Sequence, residues 1–388
     1  MTFTRPSVQT ELDRFFKAIA KSAESFSSIS KSAFTQSRKK LKPEAFVELS
    51  NSQLSNFVKN APNKRTWKGK RVVAIDGSLL NLPFSEELRN DFGFVKNQYD
   101  EIISARCSFA YDVCNELVLD AKIDRRKSCE KDLAFKHLNS LNPETDIIVF
   151  DRGYPCQWLI GLLIKNGFKF CFRLSSAWKM AHKAFDDKPL KDIDWTIVHR
   201  SHKGLDKLKK LKIPKQIRGL RLLSIDLISG EKEVLLTNLT NRDQFGLNDM
   251  KYLYHLRWGV EEGFKSFKKV LHIEYFTGKT TKAIKQDVYA KVFMLNLSSM
   301  IRTQGLYKSN TRKSKKRKHK IKANKTQVLA KTKDFLVDIF YSINIRCLIN
   351  QMIKILSSRM EIVRPDRSFP RIETSSRRRY KNLNSKGI

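Results

Sequence analysis

The stretch DIIVFDRGY, residues 146–154, decides the fold of this chain. Its first five residues form a nearly continuous apolar run, the signature of a strand buried on both faces, and Asp151 stands at the C-terminal end of that run. Upstream, RVVAID (71–76) is a second β-branched run ending on Asp76, where Gly77 and Ser78 are expected to turn the chain at once. Residues 101–111 and 116–123 read as two further strands joined at VCN, 129–141 and 155–166 as helices, and FKFCFRL (168–174) as another strand. Three strands, a helix, a strand, a helix and a strand make a mixed α/β order. Its first and fourth strands each carry an aspartate out of their ends, where polar groups gather without crossing the core.

Beyond this block, residues 177–249 hold the strand-like pieces DWTIVHR, GLRLLSIDLI and KEVLLTNL around the lysine-rich KGLDKLKKLKIPK, and read as a β-rich insertion. The lysine-rich run reads equally well as a phosphate contact or a solvated loop. Residues 251–269, KYLYHLRWGVEEGFKSFKK, then read as one amphipathic helix with a charged stripe of Tyr254, Arg257, Glu261, Phe264, Lys265 and Lys268. Alone, that stripe is equally well helix-surface ion pairing. A second helix is expected over about 281–300. The block KSNTRKSKKRKHKIKANK is too dense in charge to fold alone, residues 332–356 have helical spacing, and the chain closes on a basic tail.

The N-terminal 1–62 read as a helical domain. A serine-rich turn leads into a short helix ending in Arg38, Lys39 and Lys40 before Pro43, the size and charge of the second helix of a helix-turn-helix; a small bundle with a solvated basic edge is the bland alternative. The polar segment APNKRTWKGK links it to a core expected over 70–300, interrupted by the insertion, with 301–388 as a basic, partly helical C-terminal region.

The 388 residues carry 76 Lys and Arg against 39 Asp and Glu, a formal charge of +37, which points to a polyanionic partner. Nucleic acid fits better than a membrane surface, because the bases are spread through folded-looking segments. No signal peptide or membrane span is visible, so residence in the cytoplasm, on DNA, is expected. The six cysteines form no CxxC pair and read as reduced packing residues.

Asp76 and Asp151 leave strand ends, and Glu261 comes from a helix able to pack over the same edge. Converging carboxylates raise one another's pKa. Two hard cations relieve that cost, and carboxylate oxygens suit Mg²⁺ or Mn²⁺. Such a pair of ions, about 4 Å apart, can activate a water or 3′-hydroxyl and stabilise the leaving oxygen. No histidine stands near either aspartate to suggest zinc, and no phosphate-loop or nucleophile-elbow pattern is present.

On AIDGS around Asp76, VFDRGY around Asp151, and Tyr254, Arg257, Glu261 and Lys268 in the spacing Y-x2-R-x3-E-x6-K, the chain resembles the IS4-superfamily, DDE-type insertion-sequence transposases of bacteria. The resemblance spans roughly residues 30–300 and implies a ribonuclease H-like mixed-sheet catalytic core with a β-rich insertion and a helical N-terminal DNA-binding domain. It implies Asp76, Asp151 and Glu261 as the catalytic, metal-binding triad with two Mg²⁺ ions, for which Mn²⁺ can substitute. Tyr254, Arg257 and Lys268 would hold phosphates of the transposon end, with Lys265 and Arg173 as further DNA contacts. The partners implied are the terminal inverted repeats and target DNA, in a synaptic homodimer, and the reaction is cut-and-paste transposition by strand cleavage and 3′-hydroxyl transfer. A DDE-type endonuclease without strand transfer, or an inactive copy that only binds transposon ends, are the rival readings. FTGKT (276–280) and the helix of Asp287 look like family features without an assigned chemical role. Spacing favours Glu261 over its neighbour Glu262.

Overall fold

The computed structural model describes residues 7–20, 29–61, 64–96, 98, 100–186, 191–199, 204–227, 231–313, 321–341, 344–358 and 360–362. Three helices come first: α1 (Val8–Ala20), α2 (Lys31–Lys40) and α3 (Glu44–Asn60). Ser30 starts α2 by accepting the Ala33 N–H at 3.2 Å, and Pro43, with no N–H to leave unpaired, stands just before α3.

The core follows as β1 (Arg71–Asn81), α4 (Glu86–Phe92), β2 (Phe94–Lys96), β3 (Glu101–Asp112), β4 (Leu117–Arg125), α5 (Glu130–His137), β5 (Asp146–Phe150), α6 (Gln157–Lys165) and β6 (Lys169–Arg173). Laterally the strands run β4, β3, β1, β5, β6; β3 pairs antiparallel with both β4 and β1, and β5 and β6 run parallel to β1. That order is the ribonuclease H-like arrangement. Every residue of β5 is buried, as its apolar run requires of a central strand covered on both faces.

The insertion supplies α7 (Lys179–Lys183), β7 (Asp192–Val198), α8 (Leu205–Lys210), β8 (Gln216–Asp226) and β9 (Lys232–Thr237). It extends the core sheet: β9 pairs antiparallel with β6, then come β8 and β7, making nine strands with β2 on the edge of β3. Arg221, fully buried on β8, grips the Asp192 carboxylate at 2.8 and 2.6 Å and the carbonyls of Leu239 and Phe245 at 3.1 and 2.7 Å. It therefore ties the added strands to the segment leading back to the core, satisfying a buried charge on all sides.

Next come α9 (Leu247–Leu256), α10 (Trp258–Lys265), a π-helical turn over Ser266–Val270, α11 (Thr281–Lys313), β10 (Ile321–Ala323), α12 (Lys325–Tyr341), α13 (Ile345–Ser358) and β11 (Met360–Ile362), which pairs with β10. One face of the sheet packs on α5 and α6 through residues such as Ile148, Leu159 and Leu163, the other on α9, α10 and α11 through Leu253, Phe264 and Val288. On α11, Asn296 holds the Val118 N–H and C=O at 2.8 Å each and reaches Ser50 of α3 at 3.0 Å, docking the N-terminal helices on the core. Among the described residues no helix is long and apolar enough to cross a membrane.

Several local expectations need correction. No turn follows Asp76: β1 runs on to Asn81 because β3 offers ladder partners that far, with Gly77 opposite Ser108. Residues 251–269 are two helices broken at Arg257, followed by the π turn. The expected second helix continues to Lys313, and 332–356 divides into α12 and α13. The lysine-rich run of the insertion forms α8 in part. All six cysteines are free; Cys107 and Cys171 are buried in strands, whereas Cys129 and Cys347 are exposed and so are not core packing residues. The middle of the 308–325 charge block and the basic tail lie outside the described residues.

Candidate active site

The parallel register of β1 and β5 sets Ile75 against Phe150, so Asp76 and Asp151 follow at the same level on adjoining strands. Asp76 is partly buried, and its Oδ1 accepts the Gly77 N–H at 2.8 Å. Burial pushes its carboxyl up to about 6; the Gly77 N–H and the Arg257 charge oppose the rise, and the charges of Asp151 and Glu130 add to it. Asp151 Oδ1 accepts the Tyr254 hydroxyl at 3.2 Å.

Tyr254, Arg257 and Glu261 lie at i, i+3 and i+7 across the α9–α10 junction, and Tyr254 meets Asp151 from there. Arg257 is only 5% exposed. Its guanidinium carbon lies 5.6 Å from the Tyr254 ring centre and 5.3 Å from that of Trp258, and Nη2 donates to Glu261 Oε1 at 3.0 Å. Nε is buried without a partner. A buried guanidinium with an unfilled N–H is suited to an entering anion, phosphate above all.

Glu261 is therefore turned toward Arg257. Among the described residues no three His, Cys, Asp or Glu side chains stand close enough to close on one ion. The donor chemistry still fits Mg²⁺ or Mn²⁺: hard oxygens at one level of two adjoining strands, one of them a carboxyl whose burial resists ionisation without a counter-charge. Asp76 and Asp151 are the residues this geometry offers to a cation directly.

The other expected contacts divide. Lys268 donates to the Leu79 carbonyl at 2.6 Å and braces the extension of β1. Lys265, exposed, pairs with Glu262. Arg173 pairs with Glu233 at 3.3 Å beside the site; burial raises the Glu233 carboxyl, the Arg173 and Arg257 charges lower it, and Asp151 raises it again. Arg38 is structural, donating to Gln286 Oε1 at 2.5 Å, to the Ala283 carbonyl at 2.9 Å, to Asp287 Oδ1 at 2.7 Å, and to Thr277. Its donors are thus directed inward, whereas the Lys39 and Lys40 side chains are exposed beside it. Asp287 also holds the Thr277 N–H at 2.7 Å, which gives the FTGKT turn and its helix a shared purpose.

Sequence reading missed Glu130, Arg106, Tyr154 and Glu233. For Tyr154 a signal existed, its place three residues after Asp151 in DRGY; the other three are brought in by tertiary packing.

The sheet order and the helix packed across its first and central strands place this protein among the ribonuclease H-like folds. Residues 67–297 match the family described as "Transposase DDE domain". This is more than half of the chain, which belongs to that family and carries a DDE-type transposase domain of the IS4 group. The transposase InsG for insertion sequence element IS4 of Escherichia coli (strain K12) is 25% identical over 289 residues, 69% of this chain and 60% of the relative. The similarity therefore spans about three fifths of that relative's length. A solved piggyBac transposase synaptic complex with hairpin DNA aligns with 84% of this chain and 64% of its own, with a TM-score of 0.41 and 11% identity.

Proposed function

We propose that this protein is a cut-and-paste DNA transposase that binds terminal inverted repeats, cleaves at the transposon ends and joins the freed 3′-hydroxyls to target DNA. The observation that carries the reading is the placing of Asp76, midway along β1, level with Asp151 at the end of the adjoining β5, with the buried guanidinium of Arg257 and its unfilled Nε beside them. Asp76 and Asp151, joined by Glu261, would hold two Mg²⁺ or Mn²⁺ ions, which when bound supply Lewis-acid activation of the attacking oxygen and stabilisation of the leaving one. The protein's own groups do the positioning. Tyr254 fixes the Asp151 carboxylate through its hydroxyl. Arg257 grips a phosphate of the end, the anion replacing Glu261 as its partner and freeing that carboxylate for the cations. Lys268 steadies the β1 extension beside Asp76, and exposed Lys39, Lys40 and Lys265 meet the duplex backbone, consistent with the net charge of +37. The assembly is read as a homodimer holding two ends.

The test is Mg²⁺-dependent cleavage of DNA bearing the element's own ends. Asp76→Asn, Asp151→Asn and Glu261→Gln should each abolish cleavage and leave end binding in a gel shift largely intact. Cleavage retained by any one purified variant removes that residue from the triad. Cleavage without joining would favour the endonuclease reading.

A further inference from the structure

The backbone of Asp76 is held from the face of the sheet opposite its carboxylate. Its register partner on β3 is Phe109, which stacks on Phe264 of α10 at 4.3 Å, so the Asp76 side chain lies on the α10 face. Ser108 alternates to the α5 face, and its hydroxyl donates to the Asp76 main-chain carbonyl at 3.2 Å. Behind Ser108 stands His137, the last residue of α5, with Nε2 3.0 Å from the Ser108 oxygen and Nδ1 2.7 Å from Asp120 Oδ2 on β4. Ser108, His137 and Asp120 are all buried, and Lys122 donates to Asp120 at 3.0 Å. Burial raises the Asp120 carboxyl, but the His137 and Lys122 contacts outweigh it and leave it below the ordinary range.

Counting hydrogens fixes the state of the ring. The row from Asp120 through His137 and Ser108 to the Asp76 carbonyl contains three contacts, and both end groups only accept. The hydroxyl supplies one hydrogen, so the imidazole must supply the other two. A neutral ring would leave Nε2 competing with the Asp76 carbonyl for the hydroxyl proton. The peptide joining Asp76 to Gly77 is thereby held at both ends: its carbonyl takes the Ser108 hydroxyl, and its N–H donates to Asp76 Oδ1 at 2.8 Å. A planar peptide cannot turn without straining both bonds, so the contacts on one face set the direction of the carboxylate on the other.

We propose that Ser108, His137 and Asp120 are positioning residues for Asp76, a relay running from Asp120 through a doubly protonated His137 to the peptide after Asp76, which aims its carboxylate at the cation. The proposal rests on the reading of Asp76 as a cation-holding residue. Its bland rival is a buried polar cluster that only fastens α5 to β3 and β4. Fastening changes how much of the protein is folded. Aiming changes how tightly the folded protein holds a cation.

Mn²⁺ alone is titrated into the full-length protein without DNA, at neutral pH and well below the unfolding midpoint of each variant, free Mn²⁺ being read by electron paramagnetic resonance. Ser108→Ala, which leaves the Asp76 carbonyl unheld, should bind about tenfold more weakly. Ser108→Thr, which keeps the hydroxyl, should bind as the parent does. Unchanged affinity in Ser108→Ala, or equal weakening in both variants, overturns the proposal. If Ser108→Ala folds too poorly to titrate, the parent decides: magnetic resonance of isotope-labelled histidine nitrogens should find both ring nitrogens of His137 protonated, and a singly protonated ring overturns the relay. Asp76→Asn is the reference: if it keeps full Mn²⁺ affinity, the reading of the active site itself fails, whatever Ser108 does.

Discussion

Asp76 should make the cation-free protein less stable, and replacing it should show by how much. From the ordinary 3.8, burial first and then the neighbouring carboxylates push its carboxyl up to about 6. At about 1.4 kcal/mol per pH unit, the ionised form costs the folded state about 3 kcal/mol. The unfolded chain ionises near 3.8 and the folded one near 6, so the cost is absent well below pH 4, grows between pH 4 and 6, and is complete above 6. Asp76→Asn removes the charge while its amide oxygen can still accept the Gly77 N–H. At pH 8 without divalent cations the variant should therefore be about 3 kcal/mol more stable than the parent. At pH 4 the two should nearly coincide. Urea unfolding followed by circular dichroism at both pH values measures the difference, and adding Mg²⁺ at pH 8 should stabilise the parent and not the variant. A stability difference that is independent of pH, or a variant less stable at pH 8, would refute the argument that burial of this carboxylate is uncompensated.

Arg38→Ala should lose about 3 kcal/mol in the same unfolding assay, since it strips a partly buried ion pair and leaves Asp287 and Gln286 without their partner. Lys39→Ala with Lys40→Ala should change stability little and instead lower DNA affinity and flatten its salt dependence in a gel shift. Gly263→Ala places a Cβ 2.9 Å from the Tyr111 ring behind α10; a loss of about 1–3 kcal/mol is expected, measurable as a lower midpoint of thermal unfolding. Arg257→Ala should weaken handling of the cleaved end more than first recognition; a gel-shift loss equal to that of deleting the N-terminal helices would contradict its place in the site.

Much of the core is legible in the chain alone. The apolar run of β5 required a doubly covered strand, and β-branched RVVAI required another. Of the two aspartates expected at strand ends, Asp151 does follow the end of β5, whereas Asp76 stands midway along β1. The spacing of Tyr254, Arg257 and Glu261 put them on one helical face because helical periodicity is a local property of the chain. Less local features were read wrongly. Gly77 and Ser78 carry turn residues, yet a strand continues wherever a neighbour supplies ladder partners, and only the β1–β3 register reveals that β3 does so as far as Ser104. Arg38 looked like a duplex contact because its neighbours in sequence are basic. Its actual neighbours, Thr277, Ala283, Gln286 and Asp287, are some 240 residues away in the chain.

By itself the sequence determined the main strand and helix types, the placing of an aspartate on each of two core strands and the excess of positive charge, all of which follow from periodicity and composition within short windows. Tertiary structure alone decided that the insertion extends the same sheet, that Glu261 faces Arg257, and that Glu130 lies against Gly77 on the face of β1 opposite Asp76. Those outcomes depend on which side chains meet across the fold and on how burial changes the cost of a charge. Neither is set by neighbours along the chain.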